Sequence, residues 1–355
     1  MTQWDASSIN LFMDISTYCN AGCPQCHRTD NNGLGKVDWL PLVQWSLKQF
    51  KSVFTPDELK NIKRLHFCGT FGDPMMVKDI LKIVKYITSN SNCGMSFDTN
   101  GSMRNEDFWW DLGVTGGNRL TVRFDVDGIN QKMHETYRRF TFLDKTLKHM
   151  DITSQTNCKV EAQTILFKHN EDYKDEIREL CLQHGAVAHN FVTSDRFSEG
   201  PTTSHVDEKG VEFTLEKATG TFETHTDKLK TFLQDKYPAT PPVVEPNITC
   251  MWAKPRNEVI VSYDGQVLPC CYHQNNYHRK LKSLMVNDMY KEYEENKLKH
   301  NVFHTPLSEI LNSEWWTKKL PDSINSDNPI RSCAVNCTKT GPATNRQVDK
   351  FRKGE

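Results

Sequence analysis

Tyr18-Cys19-Asn20-Ala21-Gly22-Cys23-Pro24-Gln25-Cys26-His27-Arg28 sets three cysteines in a C-x3-C-x2-C pattern directly after a strand-like stretch, Ile9 to Ser16. Three thiolates packed this closely can hold three irons of a four-iron, four-sulfur cluster and leave the fourth iron without a protein ligand. That open iron is a place where a cofactor could coordinate. On spacing alone a zinc site competes, with His27 or His66 as the fourth ligand. Buried structural thiols fit less well, because Asn20, Gly22, Pro24 and Gln25 form loops rather than cores.

Outward from this loop the chain alternates short β-branched or aromatic runs with amphipathic stretches. The predicted strands are Ile9 to Ser16, Arg64 to Cys68, Gly94 to Thr99, Arg119 to Val126, Lys159 to Phe167 and Val187 to Thr193. Apolar residues at helical spacing predict helices at Asp38 to Phe50, Val77 to Ser89, Glu106 to Leu112, Leu143 to Met150 and Tyr173 to His184. Repeated strand-helix units imply an α/β fold with a parallel sheet, curled into a partial (β/α)6 barrel. Active sites of such sheets lie at the carboxyl ends of the strands, which is where the three-cysteine loop falls.

Residues 198–246 change character, with Gly200-Pro201-Thr202-Thr203-Ser204 followed by Pro238, Pro241, Pro242 and Pro246. This reads as a linker with one helix near Asp227 to Asp235. A smaller α+β unit is expected over 247–340. It opens with a hairpin from Glu258 to Leu268 turned by Asp264-Gly265, and a polar tail follows over 341–355. The first unit is then 1–197. The smaller unit carries a second cysteine set, Cys250, Cys270, Cys271, Cys333 and Cys337, for which a four-cysteine zinc knuckle is an alternative to an iron-sulfur cluster. Cys68, Cys93, Cys158 and Cys181 stand apart and read as small hydrophobes.

Composition narrows the classes. The net charge of -1 gives no electrostatic reason for nucleic-acid or membrane affinity. No apolar run approaches the ~18 residues of a membrane span, and the N-terminus lacks a basic segment followed by an apolar one. A cytoplasmic location is expected, and in that reducing setting clustered cysteines point to metal ligands.

Read together, these segments resemble the radical S-adenosylmethionine (SAM) superfamily, over about residues 8–195. The three-cysteine loop after the first strand is similar to its signature. Gly69-Thr70-Phe71-Gly72-Asp73-Pro74 resembles its Gly-Gly-Glu-Pro turn, with Phe71 and Asp73 as departures. Asp98-Thr99-Asn100-Gly101 resembles its Thr-Asn-Gly turn, and Asp125-Val126-Asp127-Gly128 with His134 and Arg138 resembles the end of its fourth strand. The resemblance implies that Cys19, Cys23 and Cys26 hold a 4Fe-4S cluster whose open iron takes the amino and carboxylate groups of SAM. It implies SAM contacts at Gly72 and Asp73 (amino group), Asn100, Asp125 (ribose) and the backbone of Gln25 (base). Gln25 stands where the family carries an aromatic residue, so stacking on adenine is lost.

The order C-x14-G-x4-C from Cys250 through Gly265 to Cys270, followed by the pair Cys333 and Cys337, resembles the SPASM and shorter twitch extensions of this superfamily. Four cysteines suit one fully ligated auxiliary 4Fe-4S cluster, with Cys271 as a substitute for Cys270. The implied reaction is reductive cleavage of SAM to a 5′-deoxyadenosyl radical, which takes a hydrogen atom from a peptide side chain or a small alcohol or sugar. The auxiliary cluster then accepts or conducts an electron, and an electron donor such as flavodoxin or ferredoxin is the expected partner. The alternatives are a radical SAM enzyme modifying RNA or a cofactor precursor, and a non-catalytic zinc protein.

Overall fold

The computed structural model describes residues 4–194, 196–197, 200–220, 248, 250–253, 256–279, 288–326, 329–330, 333, 337 and 346–350. The helix expected at 227–235 lies outside them. Six strands, β1 (Ile9–Met13), β2 (Ile62–Phe67), β3 (Gly94–Thr99), β4 (Leu120–Asp125), β5 (Lys159–Leu166) and β6 (Ala188–Thr193), pair in parallel in chain order. The period of two decides which face each side chain takes. In β5, Val160, Ala162, Thr164 and Leu166 are buried, while Glu161, Gln163 and Ile165 keep partial exposure. The crossover helices answer with a period near four: Ile80, Ile83, Val84 and Ile87 of the helix Ile80–Asn90 are buried. Helices therefore cover the apolar face and leave the other lined by polar side chains.

The segment 38–50 departs from the helix expected there, which starts only at Leu47 and runs to Val53. Pro41 has no N–H to give a helix. The Thr17 hydroxyl holds the stretch extended instead, donating to the Pro41 carbonyl at 2.6 Å and accepting from the Val43 N–H at 2.8 Å.

Five further strands lie where linker, separate unit and tail were expected. Within 198–246, β7 (Thr202–Val206) and β8 (Glu212–Glu216) form an antiparallel hairpin. The expected hairpin is present as β9 (Glu258–Val261) and β10 (Val267–Leu268), with Gly265 at φ +86° in its turn. It is not separate from the first unit, because β9 pairs in parallel with β1. In the tail, β11 (Arg346–Lys350) pairs antiparallel with β6. The result is one open sheet in the order β10-β9-β1-β2-β3-β4-β5-β6-β11.

One core runs through both halves of the chain, joining Leu11, Phe67 and Val122 to Val261, Leu268, Tyr293 and Trp316. Full burial of each such side chain stabilises by about 1.5–3 kcal/mol. Trp316 stands edge-on to Trp4 at 5.5 Å. A further helix runs over Leu307–Asn312 and buries Leu307, Ile310 and Leu311. Among the described residues no helix is long and apolar enough to cross a membrane.

Candidate active site

The cysteine loop leaves the end of β1 and is clamped by its neighbours. The Asp73 N–H donates to the Tyr18 carbonyl at 2.8 Å, and the Gly22 N–H to the Arg139 carbonyl at 3.1 Å. Only glycine fits at 72, since a Cβ there would collide with the Ser16 carbonyl. This packing places Cys19, Cys23 and Cys26 on the wall of a cavity of about 260 Å³ at the carboxyl ends of the strands. Gly72, Asp73, Asn100 and Asp125 line the same cavity, with Gln163 from β5.

Asp73 is the hub of this wall. Its carboxylate accepts from the Met75 N–H at 2.9 Å, the Thr99 hydroxyl at 3.0 Å, the Asn100 N–H at 3.0 Å and the Asn100 side-chain amide at 2.7 Å. It caps the short turn Pro74–Met76 and ties the end of β2 to the end of β3. Burial raises its carboxyl above the usual range, with these hydrogen bonds opposing. The Asn100 amide also reaches Cys19 Sγ at 3.9 Å.

Opposite, Arg138 is held between two carboxylates, 3.0 Å from Asp125 and 2.5 Å from Asp127, with its Nη1 3.9 Å from Cys23 Sγ. Burial pushes the Asp125 carboxyl up to about 7 against the pull of Arg138. His134 is fully buried and braces the turn, accepting from the Asp127 N–H at 3.2 Å. Below, the polar face of the strands carries a ladder in which Arg123 bridges Asp98 at 2.8 Å and Glu161 at 3.1 Å, and His66 lies 3.2 Å from Asp98.

The donors fit an iron-sulfur cluster. Burial pushes the Cys23 thiol up to about 12 and raises Cys19 further, so only a bound cation would keep these thiolates ionised. Neither His27 nor His66 lines the cavity, so a zinc ion would lack its expected fourth ligand. Among the described residues no three His, Cys, Asp or Glu side chains are arranged to hold a single metal ion. Cys19, Cys23 and Cys26 line the cavity together from one loop.

A second, enclosed pocket gathers Cys250, Cys270, Cys333 and Cys337, walled by Trp4, Trp252, Leu320 and Ile324. Cys271 does not line it, since it starts the helix Cys271–His278. His273 does, with Nε2 at 3.4 Å from Cys333 Sγ.

Comparison with known proteins bears on the fold and on the second centre. The SPASM family, an iron-sulfur cluster-binding domain, matches residues 250–338, which hold all four cysteines of the second pocket. A probable GTP 3′,8-cyclase of Methanothermobacter marburgensis is 24% identical over 294 residues, covering 79% of this chain and 90% of that one. The crystal structure of Streptococcus suis SuiB bound to the precursor peptide SuiA superposes with a TM-score of 0.58 at 12% identity, over 91% of this chain and 68% of that one. Native anSMEcpe with bound AdoMet (SAM) gives a TM-score of 0.52 at 13% identity, over 87% of this chain and 81% of that one. These likenesses agree with the resemblance of the chain to radical SAM enzymes.

Residues 250–338 are a SPASM-type iron-sulfur cluster-binding domain, and the likenesses support an enzyme that uses SAM and 4Fe-4S clusters. Within this radical SAM fold the cavity brings together every residue singled out for the first centre except Gln25. The Gln25 side chain turns away, accepting from Ser194 at 2.7 Å and donating to Thr203 at 3.1 Å. Its carbonyl accepts from Arg196 at 2.6 Å. Gln25 thus fastens the hairpin β7-β8 beside the cluster loop. Sequence reasoning missed Arg28, Tyr137 and Arg196 as cavity residues. Arg28 stands two positions after the last cysteine, and that proximity was the available signal. Of the fifth strand, Gln163 and Ile165 line the cavity and Glu161 does not.

Proposed function

We propose that this enzyme cleaves SAM reductively at the Cys19, Cys23 and Cys26 cluster and abstracts a hydrogen atom from a peptide side chain or a small alcohol, with net oxidation of that substrate. One observation carries the reading: the three cysteines share a cavity with Gly72, Asp73, Asn100 and Asp125, while four other cysteines close a second pocket. Bound to its cluster and reduced, SAM supplies the hydrogen-abstracting radical.

The chain's own residues position and shield. Asp73 is a buried carboxylate with hydrogen bonds and the Arg138 charge within reach but no ion pair among the described residues, so an ammonium group on its cavity face would find an acceptor and a complementary charge. Asp125 accepts well from hydroxyls, which suits a ribose, and Arg138 beside it offsets repulsion of a carboxylate. The ladder of Asp98, Arg123 and Glu161 fixes polar groups below, where a substrate carbon would face the cofactor. A pocket with four thiols leaves no iron open for substrate, which suits an electron acceptor. Oxidation then removes a hydrogen atom to the radical, an electron to the auxiliary cluster and a proton to solvent.

A second reading, cyclisation of a nucleotide cofactor precursor, draws support from the GTP 3′,8-cyclase relative. Anaerobic reconstitution tests the shared part: about eight irons per chain are expected, falling to about four in Cys23→Ala and in Cys333→Ala. Dithionite with SAM should yield 5′-deoxyadenosine in the wild type and none in Cys23→Ala. About two zincs and no iron would sink both readings. Turnover of GTP would favour the second.

A further inference from the structure

The auxiliary pocket contains a side chain that the cysteine pattern does not require. Cys270 precedes the helix Cys271–His278, and His273 sits one turn into it, so its ring is carried back over the helix start. There it is 1% exposed and lines the pocket with the four cysteines. Nε2 lies 3.4 Å from Cys333 Sγ, a sulfur contributed by a segment sixty residues on. The ring is steadied by Tyr290 at 5.3 Å. Its other nitrogen, Nδ1, has no partner among the described residues.

The other three sulfurs are served differently. Backbone N–H groups of Ala253 and Trp252 reach Cys250, that of His273 reaches Cys270, and that of Met251 reaches Cys337. Cys333 receives the imidazole instead. A ligated thiolate carries no proton, so the hydrogen between Nε2 and Sγ must belong to the imidazole. That makes the Nε2–H tautomer the one that fits a ligated Cys333, and leaves Nδ1 as a bare nitrogen with no partner among the described residues.

Resting on the reading of Cys250, Cys270, Cys333 and Cys337 as cluster ligands, we propose that His273 donates its Nε2–H to Cys333 and thereby raises the reduction potential of the auxiliary cluster. Reduction adds negative charge to the cluster and its thiolates, and a hydrogen bond to charged sulfur strengthens as that charge grows. The reduced form gains more than the oxidised one, in a pocket with apolar walls that screen little. His273 is a positioning residue: it touches neither SAM nor substrate and acts through Cys333. It makes the second cluster a better electron acceptor, as an oxidising enzyme needs.

The test is a potentiometric titration followed by EPR on full-length reconstituted protein, in a background of C19A, C23A and C26A that isolates the auxiliary signal. At fixed potential His273→Phe should lower the ratio of reduced to oxidised cluster roughly tenfold, which is about 59 mV for a one-electron couple. His273→Gln keeps an N–H donor and should recover most of that shift, with iron content unchanged in both. An unmoved potential in H273F with its irons retained overturns the proposal. A strong nitrogen hyperfine coupling in pulsed EPR of the unsubstituted pocket also overturns it, because it would make His273 a ligand; a weak coupling supports it and needs no variant to fold. If C333A keeps its auxiliary irons, the ligand reading itself has failed; if C333A loses them while H273F titrates normally, only the role of His273 has failed.

Discussion

Asp14, just past the end of β1, is 1% exposed and accepts from the Thr70 N–H at 3.0 Å, from the Cys68 thiol at 3.4 Å and from the Gln274 amide. Burial raises its carboxyl to about 6, with these hydrogen bonds pulling the other way. A folded-state value above the unfolded one means the native state holds the proton more tightly. The resulting stabilisation is complete below the unfolded value, near 4, and is lost as pH rises through about 6. Asp14→Asn carries no such charge, so its stability relative to wild type should improve between pH 5 and pH 7.5, by about 1.4 kcal/mol. The Gln274 carbonyl, buried with no partner among the described residues, can accept from the new amide. Urea unfolding of the iron-free protein at both pH values checks this, and an equal difference at the two would refute the assignment.

The hairpin β7-β8 shows what local sequence could and could not reveal. The six parallel strands and the three-cysteine loop were legible because each rests on short-range pattern: alternation in β5, turn residues between cysteines, glycine where the Ser16 carbonyl leaves no room. β7 has one buried residue in five, His205, and no apolar alternation to betray it. What fixes it is distant: Gln25 to Thr203, Asn31 to His205, and Arg139 over the Phe213 ring at 4.3 Å. The same distance hid the use of Gln25, whose backbone sits at φ +62° with its side chain turned to the hairpin. Gln25→Ala removes the bonds to Ser194 and Thr203, each contributing about 0.5–1.5 kcal/mol. Amide hydrogen exchange should therefore quicken across 202–216 while β2 to β5 keep their protection. Unchanged exchange in the hairpin would show that it is held by its apolar contacts alone.

At the scale of the whole molecule, the two cysteine centres share one sheet and one apolar core. β9 completes the sheet by pairing Leu11 with Val259 and Met13 with Val261, so the C-terminal half covers the edge of the strand that leads into the first cluster loop. Trp45 donates to the Tyr263 carbonyl at 2.8 Å, and Gln274 reaches Asp14 from the helix that follows Cys270. The clustering of cysteines and prolines suggested a linker and a second domain, because composition reports local character and carries no record of strand pairing across about 250 residues. Structural cooperativity follows from the shared core: calorimetry of the iron-free protein should give one transition. A fragment ending at residue 246 would leave β1 as an unpaired edge beside exposed Leu11 and Met13 contacts, and should aggregate on expression. Two resolved transitions, or a soluble, folded fragment of that length, would show that the core and the auxiliary domain fold independently and that the β1-β9 pairing only docks them.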